Sequence, residues 1–219
     1  MTTVTRYVAF PPVITLLLLA NSFIFLLQTQ AFHQPLLTWF ALWPAGTPET
    51  VFMDGQLTSV PGFEIWQVLS YGFLHGGLLH LLVNLFALWM FGVPLENVWG
   101  SRRFAFYFFF CVIGAGLVQL WVASMAAGDG NIYPTVGASG GVFGILLAFA
   151  MTWPNQRLML IFPPIPIKAK WFVVLFGAFS LWAGVTGTVA GVAHFAHLGG
   201  LLFGLLLMLW WRSRARRLP

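Results

Sequence analysis

In a chain that is 59% hydrophobic and 7% charged, few side chains can do chemistry, and six of them fall in or beside apolar runs: His75, His80, Asn84, Ser139, His194 and His197. Polar groups are costly in hydrocarbon, so each marks a function by default. Ser139 stands in Gly137-Ala138-Ser139-Gly140-Gly141 and His197 in Ala196-His197-Leu198-Gly199-Gly200. A hydroxyl and a neutral imidazole are the two parts of a nucleophile and base pair. The glycines let the backbone turn sharply at the serine and let another chain come close. Small residues also serve packing: Gly140, Gly144 and Ala148 share one helix face, and Gly200 and Gly204 another, so apposition of the two would bring His197 towards Ser139. His80 and Asn84, four apart, share a face and can donate to an oxyanion beside the Ser139 N–H. His194 reads as structural or cavity-lining, and His75 as interfacial.

The five carboxylates, Glu49, Asp54, Glu64, Glu96 and Asp129, all lie outside the apolar cores. That pattern excludes intramembrane aspartyl chemistry, which needs two carboxylates at depth, and zinc hydrolysis of the His-Glu-x-x-His kind, which needs a glutamate beside its ligands. It also weakens proton-coupled transport. A single cysteine, Cys111, offers no disulfide framework and no cysteine metal motif. The net charge of +5 comes from cations scattered between apolar runs, so no nucleic-acid partner is expected.

These residues need helices to hold them. The 219 residues read as one all-α polytopic membrane domain, 1–219, with spans at about 10–28, 78–93, 104–125, 139–153, 171–187 and 191–211. The first span reads as an anchor, not a cleaved signal. All thirteen prolines fall outside the span cores except Pro11 and Pro12 at the first helix's opening turn. With six helices, Arg6, Arg102, Arg103, Arg157, Lys168, Lys170, Arg212, Arg214, Arg216 and Arg217 fall on the side of both termini, which the positive-inside bias makes cytoplasmic. The segment 29–74 carries no Lys or Arg and is expected outside, with its apolar stretch 36–43 lying in the interface. Ser139 and His197 each precede a tryptophan, Trp153 and Trp211, by the same number of residues, which sets both about 21 Å above the cytoplasmic interface. His80 and Asn84 come out near the same layer. The fourth helix is too short to span alone, so Ser139 would stand at a submerged helix N-terminus whose free N–H groups favour an oxyanion.

Gly-Ala-Ser-Gly opening the fourth span, Ala-His-Leu-Gly-Gly with Gly200-x-x-x-Gly204 in the sixth, His80-x-x-x-Asn84 in the second, and Glu96 with Gly100-Ser101-Arg102 after it resemble the rhomboid intramembrane serine proteases. The likeness runs from about Trp66 to Gly204. It implies a six-helix bundle of the bacterial type in a bacterial inner (cytoplasmic) membrane. It also implies hydrolysis of peptide bonds in or near transmembrane segments of other proteins, with no metal and no cofactor. By matching position Ser139 is the nucleophile, His197 the general base, and His80, Asn84 and the Ser139 N–H the oxyanion hole, with Gly137, Gly140, Phe143, Gly200 and Gly204 in support. The expected partners are transmembrane protein substrates and membrane lipids. Two positions depart from the family: Phe143 stands where a tyrosine is frequent and Gln67 where an arginine is. The alternatives are a catalytically inactive rhomboid-like binder or chaperone of transmembrane helices, and a metal site built from His75, His80, His194 and His197.

Overall fold

Pro11 and Pro12 set the start of α1 (Pro12–Gln28), since proline's fixed φ suits a first helical turn and its missing N–H has no partner to lose there. The computed structural model describes residues 7–29, 32–53, 56–160, 163–188 and 191–215. The expectations placed on Arg6, Asp54, Arg216 and Arg217 lie outside them. After α1 come a short helix α2 (His33–Phe40), a hairpin of β1 (Thr50–Met53) and β2 (Gln56–Ser59), and α3 (Gln67–Ser70). The long helices follow: α4 (Leu78–Trp99), α5 (Ser101–Gly128) and α6 (Ser139–Thr152). A second hairpin, β3 (Arg157–Met159) with β4 (Pro166–Lys168), leads to α7 (Ala169–Thr186) and α8 (His194–Ala215).

The chain is mainly helical, as its composition requires, but both hairpins depart from the all-α expectation. Each strand has only three or four residues, too few for a period of two to register. Helix bounds also differ. α4 continues through Pro94 to Trp99, so this proline lies well inside a helix, and α5 begins at Ser101, which puts Arg102 and Arg103 in its first turn. The apolar stretch expected in the interface is largely α2, with Trp39 and Phe40 exposed.

Among the described residues four helices, α4, α5, α7 and α8, are long and apolar enough to cross a bilayer. α1 has 17 residues and α6 has 14; at 1.5 Å per residue α6 reaches about 21 Å, short of a hydrocarbon core of about 30 Å. α6 is the most enclosed, packed between α4, α5 and α8, while α7 contacts mainly α8 and α6. The outward faces are apolar, with Leu79 75% and Val185 71% exposed, which suits lipid and not water.

One carboxylate joins three helices. Glu96, buried on α4, accepts the N–H of Val13 and of Ile14 at 2.9 Å each and the Ser101 hydroxyl at 2.6 Å. It satisfies two orphan donors of α1's first turn and sits at the positive pole of that helix. The glycine between α4 and α5, Gly100 at φ +78°, gives the reversal that a side chain would resist. Glu96→Ala leaves the buried Ile14 N–H and the half-buried Val13 N–H unpaired and is expected to cost about 3 kcal/mol. Glu96→Gln, which keeps acceptor oxygen, should cost visibly less in a thermal or SDS unfolding series; equal losses would show that the cap is not what matters.

Candidate active site

Ser139 opens α6. The first helical bond runs from Val142 N to Ala138 O, so the N–H groups of Ser139, Gly140 and Gly141 have no partner further up the helix. The chain reaches this end through Gly137, whose φ of +128° is open to glycine. A Cβ there would also lie 2.8 Å from the Cε1 and Nε2 atoms of His80. Gly137 is thus needed twice, for its conformation and for the space that lets the His80 ring stand beside the serine.

His197 Nε2 and Ser139 Oγ are 2.8 Å apart, and both residues are half-buried. α8 holds the imidazole by close backbone packing on α6: a Cβ on Gly200 would collide with the Gly140 carbonyl, and one on Gly204 would lie 2.5 Å from the Tyr107 hydroxyl and 3.3 Å from Gly144 Cα. Tyr107 in turn donates to the Gly144 carbonyl at 2.8 Å. The Phe143 ring stacks on His197 with centroids 4.1 Å apart and planes 7° from parallel. The aromatic face stacked on the His197 imidazole therefore needs no hydroxyl, and the phenylalanine departure leaves it intact.

On the other side stands α4. The Gly76 N–H donates to His80 Nδ1 at 3.3 Å, which fixes the tautomer and leaves Nε2 as the N–H, the atom on the Gly137 side. Asn84, buried, donates through Nδ2 to the His80 carbonyl at 2.9 Å, and its second N–H is not used by that bond. His80 is brought beside Gly137 and Ser139; Asn84 lies one turn further along α4 in the same row.

The histidines do not assemble a metal site. His75 and His80 meet edge to face at 5.1 Å, and His194 and His197 at 6.0 Å. Among the described residues no group of three or more His, Cys, Asp or Glu side chains is arranged to hold an ion.

His75, in the turn before α4, is 2% exposed. Burial, then the neighbouring His80, pulls its pKa from 6.5 down to about 4. Below pH 6.5 the unfolded chain therefore binds the proton first, so native stability is expected to fall as pH drops from about 6.5 to about 4. A melting series against pH should show this decline in the wild type and a flatter profile in His75→Gln; parallel profiles would contradict it.

Several residues beyond the six polar ones also build the site. Residues 135–137 are pinned by the paired N–H and C=O groups of Thr135 and Leu42 and by the Gly137 N–H to the Tyr71 carbonyl at 2.9 Å. Gln119, buried in α5, donates to the Thr135 hydroxyl at 3.2 Å. Its signal was visible as an amide in an apolar run; the Leu42 and Tyr71 contacts are backbone contacts and leave no trace in composition. Gln67, buried where the family often has arginine, accepts the Trp43 N–H at 3.2 Å and donates to the Gly62 carbonyl at 3.4 Å. It thereby anchors the segment between α2 and α3.

The Rhomboid domain family matches residues 62–214. The chain is 33% identical over 155 residues to "Rhomboid protein 1, mitochondrial" of Saccharomyces cerevisiae, covering 68% of this chain and 42% of that one. It is 35% identical over 154 residues to "RHOMBOID-like protein 4" of Arabidopsis thaliana, covering 68% and 34%. It is 27% identical over 201 residues to "Presenilin-associated rhomboid-like protein, mitochondrial" of Rattus norvegicus, covering 88% and 46%. The chain spans less than half the length of each of these relatives.

Proposed function

The chain belongs to the rhomboid family, and on that premise we propose that it is an intramembrane serine endopeptidase working through a Ser139–His197 dyad. The observation that carries the reading is the 2.8 Å approach of His197 Nε2 to Ser139 Oγ at the uncapped N-terminus of α6. Residues 1–219 act as a single membrane domain that crosses six times, through α1, α4, α5, α6, α7 and α8, with both termini cytoplasmic and the segment 29–74 outside. The compartment proposed is a bacterial cytoplasmic membrane. The yeast and rat relatives are mitochondrial by name; the bacterial assignment rests on the resemblance to the bacterial six-helix type.

A transmembrane segment of another protein enters from the lipid beside α7, or past the external loop, and unwinds near the scissile bond, because a helical amide is hydrogen-bonded and shielded. Ser139 Oγ attacks the carbonyl carbon while its proton passes to His197 Nε2. The Ser139 N–H, His80 Nε2 and Asn84 hold the oxyanion. On collapse the C–N bond breaks and Nε2 returns the proton to the leaving amine. Water then attacks the acyl ester, gives its proton to Nε2, and releases a carboxylic acid as Ser139 Oγ is reprotonated. No metal enters these steps.

The test is cleavage of a single-pass protein co-reconstituted with the purified chain in vesicles, with new N-termini read by mass spectrometry. The expected cuts lie in or beside the transmembrane segment, near small or helix-breaking residues, and persist under chelation. A co-purifying single-pass partner that stays intact across a panel of such segments would instead favour a non-catalytic binder.

A further inference from the structure

The connection between α6 and α7 has a composition that neither water nor hydrocarbon alone suits. In the β3–β4 hairpin the register places Arg157 directly opposite Lys168 and Met159 opposite Pro166. Like charges facing across two strands repel. Among the described residues neither cation meets a carboxylate: Glu96 is held by α1 and Ser101, and no carboxylate lies on this connection. Lys170, two residues on, adds a third cation. The alternation along the strands turns Arg157, Met159, Pro166 and Lys168 outward, while Leu158 packs on the core. The outward face is thus cationic at the base and apolar towards the tip, where Met159 is 65% and Ile165 53% exposed. Tryptophans bracket the hairpin: Trp153 at the end of α6 and Trp171 at the start of α7. That is the residue type enriched at headgroup depth. Beside Arg157, residues 152–157, including Asn155 and Gln156, line a shallow and open depression.

Three other cations on this side have partners. The Arg103 guanidinium lies 4.0 Å from the Trp211 ring centroid, Arg212 donates to the Met151 carbonyl at 2.9 Å, and Arg214 lies 4.8 Å from the Trp210 ring centroid. Arg102 shares this lack of a partner, but only Arg157 and Lys168 face each other beside exposed apolar residues, a setting for a ligand that brings negative charge and an apolar tail together.

We propose that the β3–β4 hairpin binds an anionic phospholipid, its phosphate held between Arg157 and Lys168 on the outward face and Met159 and Ile165 seated among the acyl chains. The lipid phosphate removes the cross-strand repulsion and fixes the hairpin that joins α6, which carries Ser139, to α7. This site goes beyond the proposed proteolysis and depends on membrane placement, not on the dyad.

The experiment is native mass spectrometry of the full chain with equal amounts of phosphatidylglycerol and phosphatidylcholine of the same acyl composition. The wild type is expected to retain phosphatidylglycerol preferentially, and Arg157→Gln/Lys168→Gln to lose about fivefold of that preference for each cation removed. Arg102→Gln/Arg214→Gln, which removes equal charge elsewhere on the same side, should keep most of it. Lys168→Glu creates an opposite-charge pair across the strands, so it should fold, melt no lower than wild type in phosphatidylcholine, and lose the preference. A wild-type ratio in both hairpin variants, or an equal fall in the Arg102/Arg214 control, overturns the site. Full displacement of the lipid by inorganic phosphate overturns the assignment to lipid in favour of the free anion.

Discussion

Ser139→Ala is expected to abolish cleavage of a reconstituted single-pass substrate, with a loss of about a thousandfold or more, and His197→Ala to match it. The double variant should be no worse than either single one. Hydroxyl and imidazole act as a unit in the proposed mechanism: without the base the hydroxyl is a weak nucleophile, and without the hydroxyl the base has no proton to take. Two groups 2.8 Å apart are close enough for such coupling, which a double-mutant cycle reads directly. The melting temperature of Ser139→Ala should stay near that of the wild type, because the half-buried hydroxyl leaves no large cavity when removed. Losses that multiply in the double variant would mean that the two residues act separately.

The second large effect is on packing. Gly200→Ala places a methyl group against the Gly140 carbonyl and backbone, and backbone cannot swing aside as a side chain can. Overpacking of this kind costs about 1–3 kcal/mol and occasionally more. Here the displaced partner is the first turn of α6, so activity should fall further than stability alone explains: a shift of about 1 Å at the dyad can cost about a hundredfold. Gly200→Val should be worse on both counts. Gly128→Ala, where a Cβ meets nothing within 4 Å, is the control and should stay within about 0.5 kcal/mol of wild type. If Gly200→Ala and Gly128→Ala behave alike, close approach of α6 and α8 is not what holds the pair together.

The helices and the polar layer were legible because hydrocarbon leaves few places for polar side chains. Ser139 and His197 stand equally far ahead of Trp153 and Trp211, so their common depth can be counted before any contact is seen, and the glycines at 140, 144, 200 and 204 mark the faces that let two backbones touch. The connections were not legible. The Glu96 cap joins residues more than eighty positions apart, and no local pattern announces which helix end a glutamate will reach. The β3–β4 hairpin lies in a run of prolines and apolar residues whose strands are too short to alternate visibly. The pinning of Thr135 by Leu42 uses only backbone groups, which every residue carries. Gln67 shows the same limit differently: the substitution can be read from sequence, while the two bonds by which the amide anchors the segment between α2 and α3 follow only from its placement.

The central claim is that His197 makes the Ser139 oxygen nucleophilic. Reaction of the membrane-embedded wild type with a fluorophosphonate, followed by peptide mapping, tests it most directly, since the reagent reports the activated oxygen and needs no substrate. The expected adduct is on Ser139 in the wild type, and it should be absent from folded His197→Ala. An adduct on another residue, or labelling of Ser139 undiminished without the imidazole, would contradict the account.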